Sequence, residues 1–293
     1  MLFAPSPSVP SSPEVSASNL PSGMAVLDLS VTDHVATLTL DRPDALNAMG
    51  PRFFDELPDR IAEVNDTDAV RVVRLDARGR AFTAGLDLKQ MAPALLAESS
   101  EASPVQQRRR LRRKIENLQA AISAVADCRV PVIAAVHGAC IGAGIDLITA
   151  CDIRIATSEA RFSVRETRMA MVADLGTLQR LRGIIPEGHL AELVYTGADL
   201  TADRAADIGL LNRVVDDRDA LQRAADNLAE QIASNSPLAV EGAKQVLRAS
   251  RDRPVDEGLD YVALWNAAFL QSDDLSEALQ AFQEGRDPSF DGR

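Results

Sequence analysis

Three carboxylates stand in stretches that otherwise read as apolar: Asp146 in GIDL, Glu166 in SVRETRMAM and Asp174 in VADLG. A carboxyl group in such a setting resists ionisation, so it can hold a proton near neutral pH and hand it on. Each also has a purely structural alternative. Asp146, at the start of a helical pattern, would complement the helix dipole. Glu166 would pair with Arg165 or Arg168, and Asp174 would cap a helix beginning at Thr177.

A second set of groups lies in the main chain. AFTAGLDL at 81–88 and HGACIGAGIDL at 137–147 each follow an apolar strand and lead into a helix, an arrangement that leaves free backbone N–H groups aimed at one point. GACIGAG superficially suggests a dinucleotide loop. It lies too deep in the chain to open a βαβ nucleotide domain, however, and no acidic ribose partner follows it. His34, His137 and His189 have no Ser or Asp at triad spacing, and His137 belongs to the strand-end HG that shapes its loop. Cys128, Cys140 and Cys151 are odd in number, apolar in context and without C-x-x-C spacing. They read as buried thiols, with no zinc or disulfide role.

The elements that would position these groups follow from periodicity. Residues 24–41 alternate around VATLTL and predict a hairpin, and VRVVRLDA predicts a third strand. Between them a Gly-Pro turn precedes a helical pattern of Phe53, Phe54, Leu57, Ile61 and Val64. Residues 94–127 predict a helix with a charged centre, QRRRLRRK, and an apolar stripe of Leu111, Ile115, Leu118, Ile122 and Val125. VPVIAAVHG reads as a strand, GACIGAG as a turn into a helix, and RIATSEARFSV as two short strands. After residue 176 the pattern is helical throughout, and Trp265 and Phe269 at i, i+4 share one apolar face.

Composition bounds the class. With 293 residues, 46% hydrophobic and 25% charged, the chain reads as an ordinary globular protein, and no apolar run approaches the roughly 18 residues of a membrane span. The net charge of −12 argues against nucleic acid as a general partner. It also means that an anionic ligand needs a local basic patch, which the Arg-rich run could supply if it is not simply a solvated helix face. Residues 1–23, rich in Pro and Ser and without Lys or Arg, read as a disordered tail with no targeting signal, so the cytosol of a bacterium is the expected location.

AFTAGLDLKQM, VPVIAAVHGACIGAGIDLITACDIRIAT and LGTLQRL together resemble the enoyl-CoA hydratase/isomerase, or crotonase, superfamily, from about Met24 to Asp287. The resemblance implies an α/β fold, a spiral of ββα units over 24–200, followed by a C-terminal helical region at 201–293 that assembles homotrimers or homohexamers. It implies an acyl-CoA thioester as substrate, coenzyme A being part of that substrate, with no separate cofactor, metal, nucleic acid or membrane partner. The backbone N–H groups of Leu86 and Ala143 would hold the thioester oxygen as an oxyanion, within a binding segment of Ala84, Gly85, Leu86, Asp87, Leu88 and Gly142. Such donors make an α-proton removable by stabilising the enolate.

Hydratases of this superfamily carry two Glu, and here the first position holds Asp146. The order GIDL, VRE, ADLGTLQRL is more similar to the Δ3,5-Δ2,4-dienoyl-CoA isomerases, whose pocket holds Asp, Glu and Asp. That similarity implies Glu166 as base at C2, Asp174 as acid at C6, the reverse order remaining open, and Asp146 tuning both. Enoyl-CoA hydratase and 3,2-enoyl-CoA isomerase are the competing activities. An acyl-CoA-binding scaffold or an RNA-binding relative using Arg108 to Lys114 is the non-enzymatic alternative.

Overall fold

The computed structural model of the chain describes residues 25–96 and 103–293. The expected tail, and residues 97–102 of the expected 94–127 helix, lie outside the described residues.

The hairpin forms as its alternation requires. Strands β1 (Leu27–Thr32) and β2 (Val35–Leu40) pair antiparallel, and β2 sends Ala36, Leu38 and Leu40 inward. Helix α1 (Pro51–Asn65) buries Phe53, Phe54, Leu57, Ile61 and Val64, the five positions of its predicted stripe. Strand β3 (Val72–Ala77) joins β2 in parallel and leads to helix α2 (Leu88–Leu96). Helix α3 (Pro104–Asp127) starts sharply because Ser103 and Gln106 form a reciprocal capping box. Its stripe divides: Leu118, Ile122 and Val125 enter the core, while Leu111 stays exposed.

Next come β4 (Val132–Val136), β5 (Ala139–Ile141), α4 (Ala143–Ala150), β6 (Ile153–Thr157) and β7 (Arg161–Ser163), then a 3-10 turn at Glu166–Met169. After that follow α5 (Thr177–Leu181), α6 (Glu187–Thr196), β8 (Leu200–Thr201), α7 (Ala202–Asp207), β9 (Arg213–Val215), α8 (Arg218–Ala233), α9 (Pro237–Ala249), α10 (Val255–Phe269) and α11 (Asp273–Glu284). The main sheet runs β1-β2-β3-β4-β6-β9, parallel except for β1, and a smaller sheet runs β5-β7-β8. Strand β4 is buried on both faces. Val132, Ala134 and Val136 meet the main core, whereas Ile133 and Ala135 meet Leu221, Ala225 and Ala229 of α8, which is why the segment reads as an unbroken apolar run.

Two expectations change. The GACIGAG segment is not all turn, because β5 lies within it and pairs with β7. The chain after residue 176 is not all helix, since β8 and β9 complete the two sheets. Both strands are two or three residues long and owe their pairing to neighbours distant in sequence, so no local period announces them. At the C-terminal end Trp265 and Phe269 stack with centroids 4.7 Å apart, as their spacing predicts. No helix among the described residues is long and apolar enough to cross a membrane.

Candidate active site

The two glycine loops meet edge to edge. Thr83 and Cys140 form an isolated parallel bridge, the Thr83 N–H donating to Ala139 O at 2.9 Å and the Ile141 N–H to Thr83 O at 3.2 Å. Three residues beyond Thr83, Leu86 bridges Met49: the Met49 N–H donates to Gly85 O at 2.8 Å, and the Asp87 N–H donates to Met49 O at 2.9 Å. Because the groups flanking Leu86 face Met49, the alternation of extended backbone turns the N–H of Leu86 to the opposite side. Ala143 opens α4, where N–H groups have no intrahelical acceptor. Among the described residues neither the Leu86 nor the Ala143 N–H donates a hydrogen bond.

Gly85 sets how closely the loops approach. Its φ is +88°, and a Cβ there would fall 2.7 Å from Ile141 O and 3.5 Å from Ala143 N. Both loops line a small cavity of about 80 Å³ with Ala84, Gly85, Leu86, Leu88, Gly142 and Ala143 on one side and Glu166 and Met169 on the other. Leu86 and Met171 also line an apolar chamber of about 330 Å³, walled by Leu111, Ile115 and Leu118 of α3. Asp174 lies in that second chamber. Asp87, expected among the binding residues, instead spends its carboxylate on Arg42 at 3.2 Å and on the Gln90 N–H at 3.2 Å, which ties down the start of α2.

The three carboxylates therefore occupy three different settings. Glu166 faces the glycine loops. Its Oε2 is buried without a hydrogen-bond partner among the described residues, and burial together with the Asp146 and Asp174 charges raises its pKa to about 7. Arg165 and Arg168 do not pair with it: Arg165 bonds Asp199, and the Arg168 side chain donates to Thr196 O at 3.0 Å. Asp174 is exposed at its chamber, where partial desolvation raises its pKa. Asp146 is 1% exposed and lines neither cavity. Its Oδ1 accepts the Thr177 N–H at 2.6 Å, and burial raises its pKa to about 6. The capping of the α5 N-terminus, the structural alternative for Asp174, thus falls to Asp146 from another helix.

The family profile described as "Enoyl-CoA hydratase/isomerase" matches residues 30–293. The chain belongs to that family. It is 43% identical over 267 residues to the peroxisomal Delta(3,5)-Delta(2,4)-dienoyl-CoA isomerase of Arabidopsis thaliana, covering 91% of this chain and 96% of the relative. It is 44% identical to the mitochondrial Delta(3,5)-Delta(2,4)-dienoyl-CoA isomerase of Dictyostelium discoideum, covering 90% of both. Its fold superposes on the crystal structure of enoyl-CoA hydratase from Bacillus anthracis with a TM-score of 0.82 at 31% identity, covering 92% of this chain and all of that one.

Other groups of this enoyl-CoA hydratase/isomerase family member are engaged in building the fold. A further cavity of about 830 Å³, lined by Asp152, Ile153 and Arg154 at the start of β6 and by Val240, Lys244 and Arg248 of α9, includes none of the glycine-loop residues. Its Lys244 ammonium donates to Asp152 and to Val130 O, both at 2.8 Å, and Arg154 donates to Leu210 O and Cys151 O at 2.7 and 2.8 Å. These bonds pair the buried Lys244 and Arg154 charges with acceptors of the fold. The three cysteines are free and buried, as expected, and burial pushes the Cys151 thiol up to about 12. His137 is buried with Nε2 3.0 Å from Gly79 O, and desolvation lowers its pKa. The lining residues Met169, Met171 and Val172 had no signature in the sequence. Leu111 and Ile115 did: they continue an apolar stripe beyond the part that the core consumes.

Proposed function

We propose that this enzyme isomerises a 3,5-dienoyl-CoA to the 2,4-dienoyl-CoA by moving a proton from C2 to C6. The observation that carries the reading is the separation of the two reactive carboxylates, Glu166 beside the paired N–H groups and Asp174 in the apolar chamber that continues from them. Glu166 takes the C2 proton while the Leu86 and Ala143 N–H groups hold the thioester oxygen. The electron pair spreads over the conjugated chain, and the proton of Asp174 goes to C6. One carboxylate gains a proton and the other loses one, so no electrons change hands and the step calls for no metal or redox cofactor. Asp146, bonded to Thr177 and away from both cavities, tunes Glu166 by its charge; this disfavours hydration, which places two carboxylates around one water.

The test is to offer the purified protein a 3,5-dienoyl-CoA and a 2-enoyl-CoA and to follow ultraviolet absorbance. A growing long-wavelength band from the conjugated 2,4-dienoyl thioester is expected with the first. Consumption of the 2-enoyl substrate alone, by hydration, would refute the reading. Asp174→Asn is expected to reduce kcat by ~10²-fold with nearly unchanged binding of the CoA ester. Full turnover in that variant would remove Asp174 from the reaction.

The pH profile follows from the same pair. The active form holds one proton between Glu166 and Asp174, so turnover is bell-shaped, and its alkaline limb reports the last proton leaving, near the value of about 7 at Glu166. The Asp146 carboxylate raises that value, so Asp146→Asn, which keeps an acceptor for the Thr177 N–H, shifts the alkaline limb to lower pH. A limb that stays in place or rises contradicts the coupling.

A homotrimer or homohexamer belongs to this reading. Leu259 and Leu264 of α10 and Phe282 of α11 are 61, 73 and 86% exposed in the single chain, apolar side chains that a contact between copies would cover. Light scattering of the purified protein measures the assembly. Three free thiols suit a reducing compartment, in keeping with the cytosol.

A further inference from the structure

Asp174 lies on a segment with no ladder of its own: residues 171–176 are neither strand nor helix. A proton carrier on such a segment needs another source of placement, and two side chains supply it. Gln119 Nε2 donates to the main-chain carbonyl of Asp174 itself at 2.6 Å. Arg180 Nη1 donates to the next carbonyl, Leu175 O, at 3.0 Å, while its Nη2 donates to Ser123 Oγ at 2.9 Å. Gln119 and Ser123 stand at i, i+4 on α3, so they share one face of that helix.

The consequence is geometric. Two consecutive carbonyls around Asp174 are tied to the helix whose Ile115 and Leu118 wall the apolar chamber. Gly176 makes room for the tie: a Cβ at this position, where φ is +120°, would fall 1.8 Å from Arg180 Nη1. The guanidinium thus occupies the space that a side chain at 176 would need. α3 supplies the chamber wall and, through Gln119 and Ser123, the anchor points of both ties, with Arg180 of α5 as the bridge for the second.

We propose that Gln119 and Arg180 are positioning residues that clamp the Asp174 segment to α3 and so fix the distance between this carboxylate and the oxyanion-binding loops. The inference rests on the reading of Asp174 as the distal proton carrier. Neither residue lines the two cavities. Their effect is on how often the Asp174 carboxyl stands within reach of the carbon it protonates, and a displacement of about 1 Å at such a position can cost ~10²-fold in rate.

The experiment is a double-mutant cycle on the full-length enzyme with a 3,5-dienoyl-CoA as substrate. Arg180→Met and Gln119→Ala are each expected to lower kcat by ~10-fold or more with KM changed by less than about twofold. Arg180→Lys, which can reach one of the two acceptors, recovers part of the loss. In an Asp174→Asn background neither substitution lowers the residual rate further, because the group they position is already gone. Losses that simply multiply in that background, or an effect on KM alone, would overturn the clamp. If Asp174→Asn itself retains full kcat, the reading of the active site falls, and that result is distinct from failure of the clamp. Gln119 is only half buried, so Gln119→Ala keeps the test decisive should Arg180→Met fail to fold.

Discussion

Glu166→Gln is expected to lower kcat for isomerisation by ~10³-fold while leaving KM within a few-fold. The substitution preserves shape and removes only the ability to accept a proton. Glu166 is the carboxylate in the small cavity with Leu86 and Ala143, and its Oε2 has no partner among the described residues, so that oxygen loses no hydrogen bond on substitution. The readout that separates base from bystander is exchange at C2. In deuterated solvent the wild-type enzyme should exchange the C2 proton of its substrate, and Glu166→Gln should do neither that nor the isomerisation. Asp174→Asn should keep exchanging at C2 while failing to deliver the proton to C6. Exchange at the wild-type rate in Glu166→Gln would assign C2 to another group, with Asp174 the first to examine.

These assignments differ in how far the sequence alone could carry them. The two glycine loops were legible because a strand, a glycine and a helix start leave free N–H groups by local geometry, with Leu86 and Ala143 picked out within them by the family resemblance, and the structure brings both loops to one cavity. The α1 stripe was legible for a similar reason: five apolar side chains at helical spacing have one way to be buried. Strand β9 was not, since RVV becomes a strand only when β6 offers Ile155 to Thr157 as its partner. The functions of Asp146 and Asp174 show the same divide. Sequence neighbourhood left capping of α5 open as the structural alternative for Asp174, and the carboxylate that does bond the Thr177 N–H comes from 31 residues earlier. Gln119 and Arg180 left no signal, because a clamp on a main-chain carbonyl demands no residue type at a fixed spacing. What a residue does for its own helix is written nearby, whereas what it does for a loop depends on the packing of α3 against that loop.

The carboxylates would have nothing to act on if the enolate were not held, and the glycine between the loops is where that can be tested. Gly85→Ala places a methyl group 2.7 Å from Ile141 O, at a φ of +88° that a side chain rarely adopts. To accommodate it the loops must separate, which takes the Leu86 and Ala143 N–H groups off their common point. Loss of one oxyanion donor typically costs ~10²–10³-fold in kcat, and here both are displaced. The expected result is a fall of about that size in kcat, together with slowed C2 exchange, because the enolate is the species that loses support. The left-handed strain also lowers stability by roughly 1–3 kcal/mol, so a control must carry strain without the site. Gly285 is suitable: its φ is +67°, nothing lies within 4 Å of its would-be Cβ, and it terminates α11 far along the chain from the loops. Gly285→Ala should lower the Tm and keep kcat and C2 exchange, whereas Gly85→Ala should lower all three. Equal retention of exchange in the two variants would mean that the paired N–H groups do not carry the enolate, and the oxyanion would have to be sought outside the glycine loops.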